Sequence, residues 1–94
     1  MTELLAHFEG LEHDQRVRLS VYDSHLEIAA EGESREPVIR VPLDELGRVV
    51  LEEVLGMTAL VIEDTAGIVA ATVRMEPDEA ARAIRIVSQL QRQA

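Results

Sequence analysis

The sequence predicts an α+β fold of antiparallel strands followed by one helix. Three observations carry that expectation. Apolar and polar residues alternate with a period of two through Val17, Leu19 and Val21, and again through Leu26, Ile28 and Ala30. Short polar turns separate these runs. A long amphipathic segment led by Glu76-Pro77-Asp78-Glu79 closes the chain. Strands first and a helix last place the chain among α+β folds with antiparallel sheet. At 94 residues it suits one core, so residues 1–94 are expected to form a single domain, with strands over about 4–75 and the helix over 77–92.

The elements follow in order. Thr2 to Phe8 places apolar groups at Leu4, Leu5 and Phe8, a spacing open to a helical turn or a first strand. Arg16 to Tyr22 reads as a strand with one wet face. Asp23-Ser24 supplies turn chemistry, and Leu26 to Ala30 returns as the second arm of a hairpin. Gly32 to Pro37 is a polar loop. Ile39, Val41 and Leu43 form a third strand, with Pro42 marking a sheet edge or the strand's end. Asp44 to Met57 is ambiguous. Leu46, Val49, Val50 and Val54 suit a helix face with Asp44 as N-cap and Gly56 as stop, whereas Arg48 to Leu51 reads as a β-branched strand. The favoured reading is a strand to about Leu51, then a helical turn to Leu55. Leu60 to Glu63 is a buried strand, Asp64-Thr65-Ala66-Gly67 a tight turn, and Ile68 to Met75 its antiparallel return. In the helix, Ala80, Ala83, Ile84, Val87 and Leu90 line one face and Arg82, Arg85, Gln89 and Arg92 the other.

Composition narrows function by exclusion. Hydrophobic residues at 47% and charged ones at 29% are ordinary globular usage, which argues against disorder. The absence of cysteine excludes disulfides, thiolate zinc sites and cysteine nucleophiles, and fits a reducing compartment. No apolar run has membrane-spanning length, and Met1 to Gly10 lacks the basic start and apolar stretch of a signal peptide. A cytoplasmic protein is expected. The net charge of −9 leaves only residues 77–94 outside a negative field, so nucleic acid and anionic membranes are disfavoured as partners. All nine bases are arginine, so the chain has no lysine amine for Schiff-base chemistry.

No group of residues announces a reaction. His7, His13 and His25 are irregularly spaced; His13 with Asp14, or Asp23 with His25, could supply metal ligands, but polar-loop histidines are the simpler reading. Asp23, Ser24 and His25 contain the members of a hydrolytic triad, yet neighbours on a turn are expected to diverge. The pairs Asp44-Glu45, Glu52-Glu53 and Glu63-Asp64 read as solvated surface, since adjacent strand residues face opposite ways. The glycines are isolated and form no phosphate loop. No catalytic, cofactor-binding or metal-ligating residue is therefore expected. Arg16, Arg18 and Arg40 share the non-core face of neighbouring strands with Tyr22 and Glu27. They serve either as cross-strand ion pairs or, because arginine and tyrosine are favoured interface anchors, as a protein-docking face.

Four segments resemble bacterial pleckstrin-homology-like (PH-like) domains. Val21-Tyr22-Asp23-Ser24-His25-Leu26-Glu27-Ile28 resembles the family's strand, polar turn and apolar strand. Val41-Pro42-Leu43-Asp44-Glu45-Leu46 with Val49 is similar to its "I-P-L-x-x-I-x-x-V" strand pair. The run from Val54 to Glu63 is similar to its "L-L-G-x-G-x-L-x-I" segment, with Thr58 in place of the second glycine, and Glu76 to Ala81 resembles the start of its capping helix. The match covers about residues 15–92.

The resemblance implies an antiparallel β-barrel or sandwich of six to seven strands, with Leu4 to Glu9 as the first strand and one open end plugged by the C-terminal α-helix. It implies a binding module without catalytic residues. The phosphoinositide-binding branch of the superfamily has a basic residue before its first loop and a basic-x-basic pair after it. Arg16-Val17-Arg18 matches the second half only, and Glu9, Glu12 and Asp14 surround the loop, so phosphoinositide binding is not expected. The expectation is a non-enzymatic protein-binding module that uses an exposed strand or the arginine-bearing face, with self-association as a homodimer encouraged by Val49, Val50, Leu51, Val54 and Leu55. The rival takes residues 2–8 and 44–55 as helices, an order that resembles the small acidic homodimeric chaperones of type III secretion. An enzyme is the weakest reading.

Overall fold

The computed structural model describes residues 2–31 and 39–93. The chain forms seven strands, β1 (Leu4–Glu12), β2 (Gln15–Tyr22), β3 (His25–Ala30), β4 (Ile39–Pro42), β5 (Leu46–Val54), β6 (Met57–Asp64) and β7 (Val69–Arg74), then one helix, α1 (Pro77–Gln93). All pair antiparallel in the order β4-β3-β2-β1-β7-β6-β5. The predicted α+β class holds. The sheet is not closed into a barrel: among the described residues β4 and β5 are its two unpaired edges.

Two meanders, β1–β4 and β5–β7, meet at one ladder pair, Leu11 opposite Arg74. Beyond it the sheet folds over, for β4 comes within contact distance of β7 although three strands lie between them in the order. One core results. Phe8, Val17, Leu19, Val21, Leu26 and Ile28 of the first meander cluster with Leu60, Ile62, Ala71 and Val73 of the second. The helix contributes Ala80, Ala83, Val87 and Leu90 to the same cluster, while Ile84 is only partly buried against it. Burying the Val87 and Leu90 side chains alone is worth about 3–6 kcal/mol.

Helix α1 starts as its residues dictate. Pro77 occupies the first position, the Glu76 carbonyl accepts the Ala80 amide at 2.9 Å, and Asp78 and Glu79 lie at the positive end of the dipole. It packs against β5 and β6. The Gln91 side-chain amide donates to the Gly47 carbonyl on β5 at 3.0 Å, and the Arg82 guanidinium lies 4.8 Å from the centroid of the buried Phe8 ring.

Several expectations need correction. Residues 2–8 are not a helix: β1 begins at Leu4 and runs three residues past Glu9, to a turn where His13 and Asp14 take φ of 49° and 64°, the left-handed pair a tight hairpin turn requires. Residues 44–55 are not a helix either. The 3₁₀ turn comes earlier, at Leu43–Glu45, and takes Leu43 out of β4. Strand β5 then continues to Val54, past the expected switch at Leu51, and pairs with β6 through a hairpin. Gly56 is part of that hairpin turn, not a helix stop. The Asp64 turn forms as expected, with Gly67 at a φ of 82° and the Asp64 carboxylate accepting the Ala66 and Ile68 amides, each at 2.9 Å. The Gly32 to Pro37 loop lies outside the described residues.

The seam depends on Gly10. A Cβ there would lie 2.6 Å from Val73 Cγ1 and collide with the Arg74 carbonyl, so only glycine lets β1 cross β7 this closely. Gly10→Ala is expected to cost about 1–3 kcal/mol by overpacking, read as a lower urea midpoint; unchanged stability would show that the two meanders can separate freely.

Candidate functional site

Strand periodicity sets the β2 residues of the predicted docking face on one side of the sheet. On β2, Val17, Leu19 and Val21 point to the core, which leaves Arg16, Arg18, Ser20 and Tyr22 on the outer face. Register then sets Arg18 opposite Glu9 on β1, and Glu27 of β3 opposite Arg40 of β4. Arg16 and Tyr22 occupy opposite ends of β2, about 20 Å apart.

The face is largely neutralised. Arg40 donates to Glu27 Oε1 from Nε at 3.1 Å and from Nη2 at 2.6 Å. Arg18 Nη2 lies between Glu9 at 3.5 Å and Glu31 at 3.8 Å. Tyr22 stacks on His25 across the turn, with ring centroids 4.7 Å apart. Among the described residues no carboxylate lies within salt-bridge distance of Arg16. The Arg40 hydrogen bonds hold the Glu27 carboxyl below its ordinary range, opposed by partial desolvation and aided less strongly by His25.

The turn residues come closer than expected. Ser24 and His25 do not diverge: Ser24 Oγ lies 2.8 Å from His25 Nδ1, and His25 Nε2 lies 3.4 Å from Glu27. The series resembles a hydroxyl–imidazole–carboxylate relay in composition alone. The Glu27 carboxylate is already committed to Arg40, and Asp23 instead accepts the Glu3 amide at 3.1 Å. Among the described residues no three His, Asp or Glu side chains are placed to share a metal ion. His13 and Asp14 are spent on their turn, where Asp14 accepts Arg74 at 2.8 Å.

Two further features take their shape from the structure, the first of them unforeseen in the sequence. Arg74 stands at the seam, bound to Asp14 and 3.6 Å from Met57 Sδ, beside a cleft of about 670 Å³ bordered by Leu11, Ile39 and Val69. The second is the β5 edge. Its partner β6 is buried from Thr58 to Ile62, yet Leu51 is 44% exposed, Met57 45% and Leu55, at the hairpin tip, 93%. Leu55 also holds a φ of 53°, a conformation unfavourable for a residue with a branched side chain. Leu51 and Leu55 already stand out in the sequence as apolar groups suited to self-association, and the register of β5 places them along a sheet edge and at its hairpin tip.

No helix among the described residues is long and apolar enough to cross a membrane. No family model matches the sequence, and no curated protein matches it.

Two outcomes are expected. Because Arg40 depresses the folded-state pKa of Glu27, the pair's stabilisation is present above the ordinary glutamate pKa and is lost as pH falls through the lower folded-state value. Glu27→Gln should flatten the acid limb of a stability-against-pH curve, and an unchanged limb would exclude the coupling. Leu55→Asn should raise folding stability by about 1 kcal/mol by relieving the left-handed backbone, read by urea denaturation; a loss would mean that the leucine is held by packing.

Proposed function

We propose that this protein is a non-enzymatic protein-binding module of the bacterial PH-like type, acting in the cytoplasm, and that it binds through the β5 edge instead of the arginine-bearing face. One observation carries the reading: β5 is a nine-residue edge strand with a sheet partner on one side only among the described residues, and Leu51 within it, Leu55 at its hairpin tip and Met57 at the start of β6 are exposed. An unpaired strand of that length can accept another by backbone hydrogen bonding, with side-chain complementarity setting the choice. The other edge is poor for this purpose, because β4 has four residues and ends in a proline.

The charge pattern supports a protein ligand over phosphate. Arg18 of the Arg16-Val17-Arg18 sequence lies between two carboxylates, and the chain carries a net charge of −9, both of which disfavour nucleic acid and phosphoinositide as ligands. Cysteine-free composition supports the cytoplasmic placement. The Glu27 commitment to Arg40 supports a binding role over hydrolysis, since the carboxylate is not available to orient an imidazole alone.

Capture with tagged full-length chain from the native cell tests the surface. Val50→Lys, on the outer face of β5, should abolish retention of bound protein, whereas Arg40→Ser should leave it intact. The reverse pattern would move the binding site to the arginine-bearing face.

A further inference from the structure

We infer that the strand accepted by β5 is the β5 of a second copy of this chain, paired antiparallel about a two-fold axis through Val50. The inference rests on the reading of β5 as the binding edge and adds the identity and register of its occupant.

Register supplies the argument. Val49 and Leu51 lie opposite Ile62 and Leu60, which are fully buried in the core, so they belong to the inner face. Arg48, Val50 and Glu52 lie opposite Glu63, Val61 and Ala59 and belong to the outer face. If two copies continue one sheet, outer residues must oppose outer residues. Centring the axis on Val49 would set Arg48 against Val50, and centring it on Leu51 would set Val50 against Glu52. Centring it on Val50 sets Arg48 against Glu52 twice, Val49 against Leu51 twice, and Val50 against itself. Of the three, only this register pairs opposite charges and apolar groups over residues 48–52.

Charge complementarity is what self-association requires here. A chain of net charge −9 repels its copy at long range, so contact must be locally complementary. The run Arg48-Val49-Val50-Leu51-Glu52 is neutral and reads as its own complement when reversed. Edge charges that merely guard against pairing need no such symmetry, and like signs would serve them better. Arg48 can take part: it binds Glu63 through Nε at 3.1 Å, its side chain is 70% exposed, and its Nη atoms make no hydrogen bond among the described residues.

Sedimentation of the full chain across a dilution series tests the inference. Wild type should show a reversible monomer–dimer equilibrium. Val50→Glu and Val50→Lys each place like charges opposite themselves and should weaken self-association about tenfold or more, while an equimolar mixture of the two should restore it. Glu52→Arg, on an exposed position, sets arginine against the partner's Arg48 and should weaken it similarly, with circular dichroism confirming that it folds. A strict monomer, or a dimer indifferent to residues 50 and 52, would overturn the self-pairing. If a monomer still captures other proteins in a Val50-dependent way, self-pairing fails and β5 stands as the binding edge; capture that depends on Arg40 instead overturns both.

Discussion

Two half-sheets joined at a single ladder pair cannot stay packed by hydrogen bonds alone, and the rest of the structure answers that constraint. Among the described residues Leu11 and Arg74 form the one ladder pair between β1 and β7, so the ladder that unites seven strands is thinnest at its middle. What holds the halves is apolar burial across the fold: Phe8, Leu19 and Leu26 from one side, Leu60, Ile62 and Val73 from the other, and the α1 stripe shared between them. Small residues at Ala80 and Ala83, both fully buried, let the helix backbone approach the sheets before Val87 and Leu90 fill the space beyond. Gly10 has the corresponding role in the sheet. It gives up a side chain so that β1 and β7 can cross.

Legibility in the sequence followed burial. Strands β2 and β3 each bury one face and expose the other, so their period of two was visible. The helix was visible because its buried stripe and its arginines separate cleanly. Strand β1 was not, since Phe8 is its only buried residue and Leu4, Leu5 and Leu11 are exposed; with little to bury, alternation has no cause. Strand β5 was legible to about Leu51 but not in its last residues, for a different reason. It packs against α1 on one face and ends in a hairpin with a strained leucine, so apolar residues fall on both faces and mimic helical spacing. The ion pairs of the candidate face required register, which sequence spacing does not supply: Glu27 and Arg40 are joined only because β3 and β4 align them.

Charge pairing also explains how an acidic chain tolerates a compact state. Arg18, Arg40, Arg48, Arg74 and Arg82 each lie beside a carboxylate. Such exposed pairs are individually weak, about 0–1 kcal/mol, yet distributed over both meanders they reduce self-repulsion where the strands bring acids together. Arginine suits this role because its planar fork can bind two partners, as Arg18 does between Glu9 and Glu31.

The two sheet edges are managed in opposite ways. Edge β4 is short, ends in Pro42 and has its one outward arginine held by Glu27, which are the ordinary means of discouraging another strand. Edge β5 is more than twice as long, contains no proline, and keeps Leu51 exposed beside charges of both signs. Protecting a sheet against unwanted pairing would favour the β4 solution at both ends. An asymmetry of this kind is expected when one edge is closed and the other is kept for a partner, and the strain at Leu55 points the same way, because a fully solvated leucine in a left-handed turn stabilises nothing in the isolated fold.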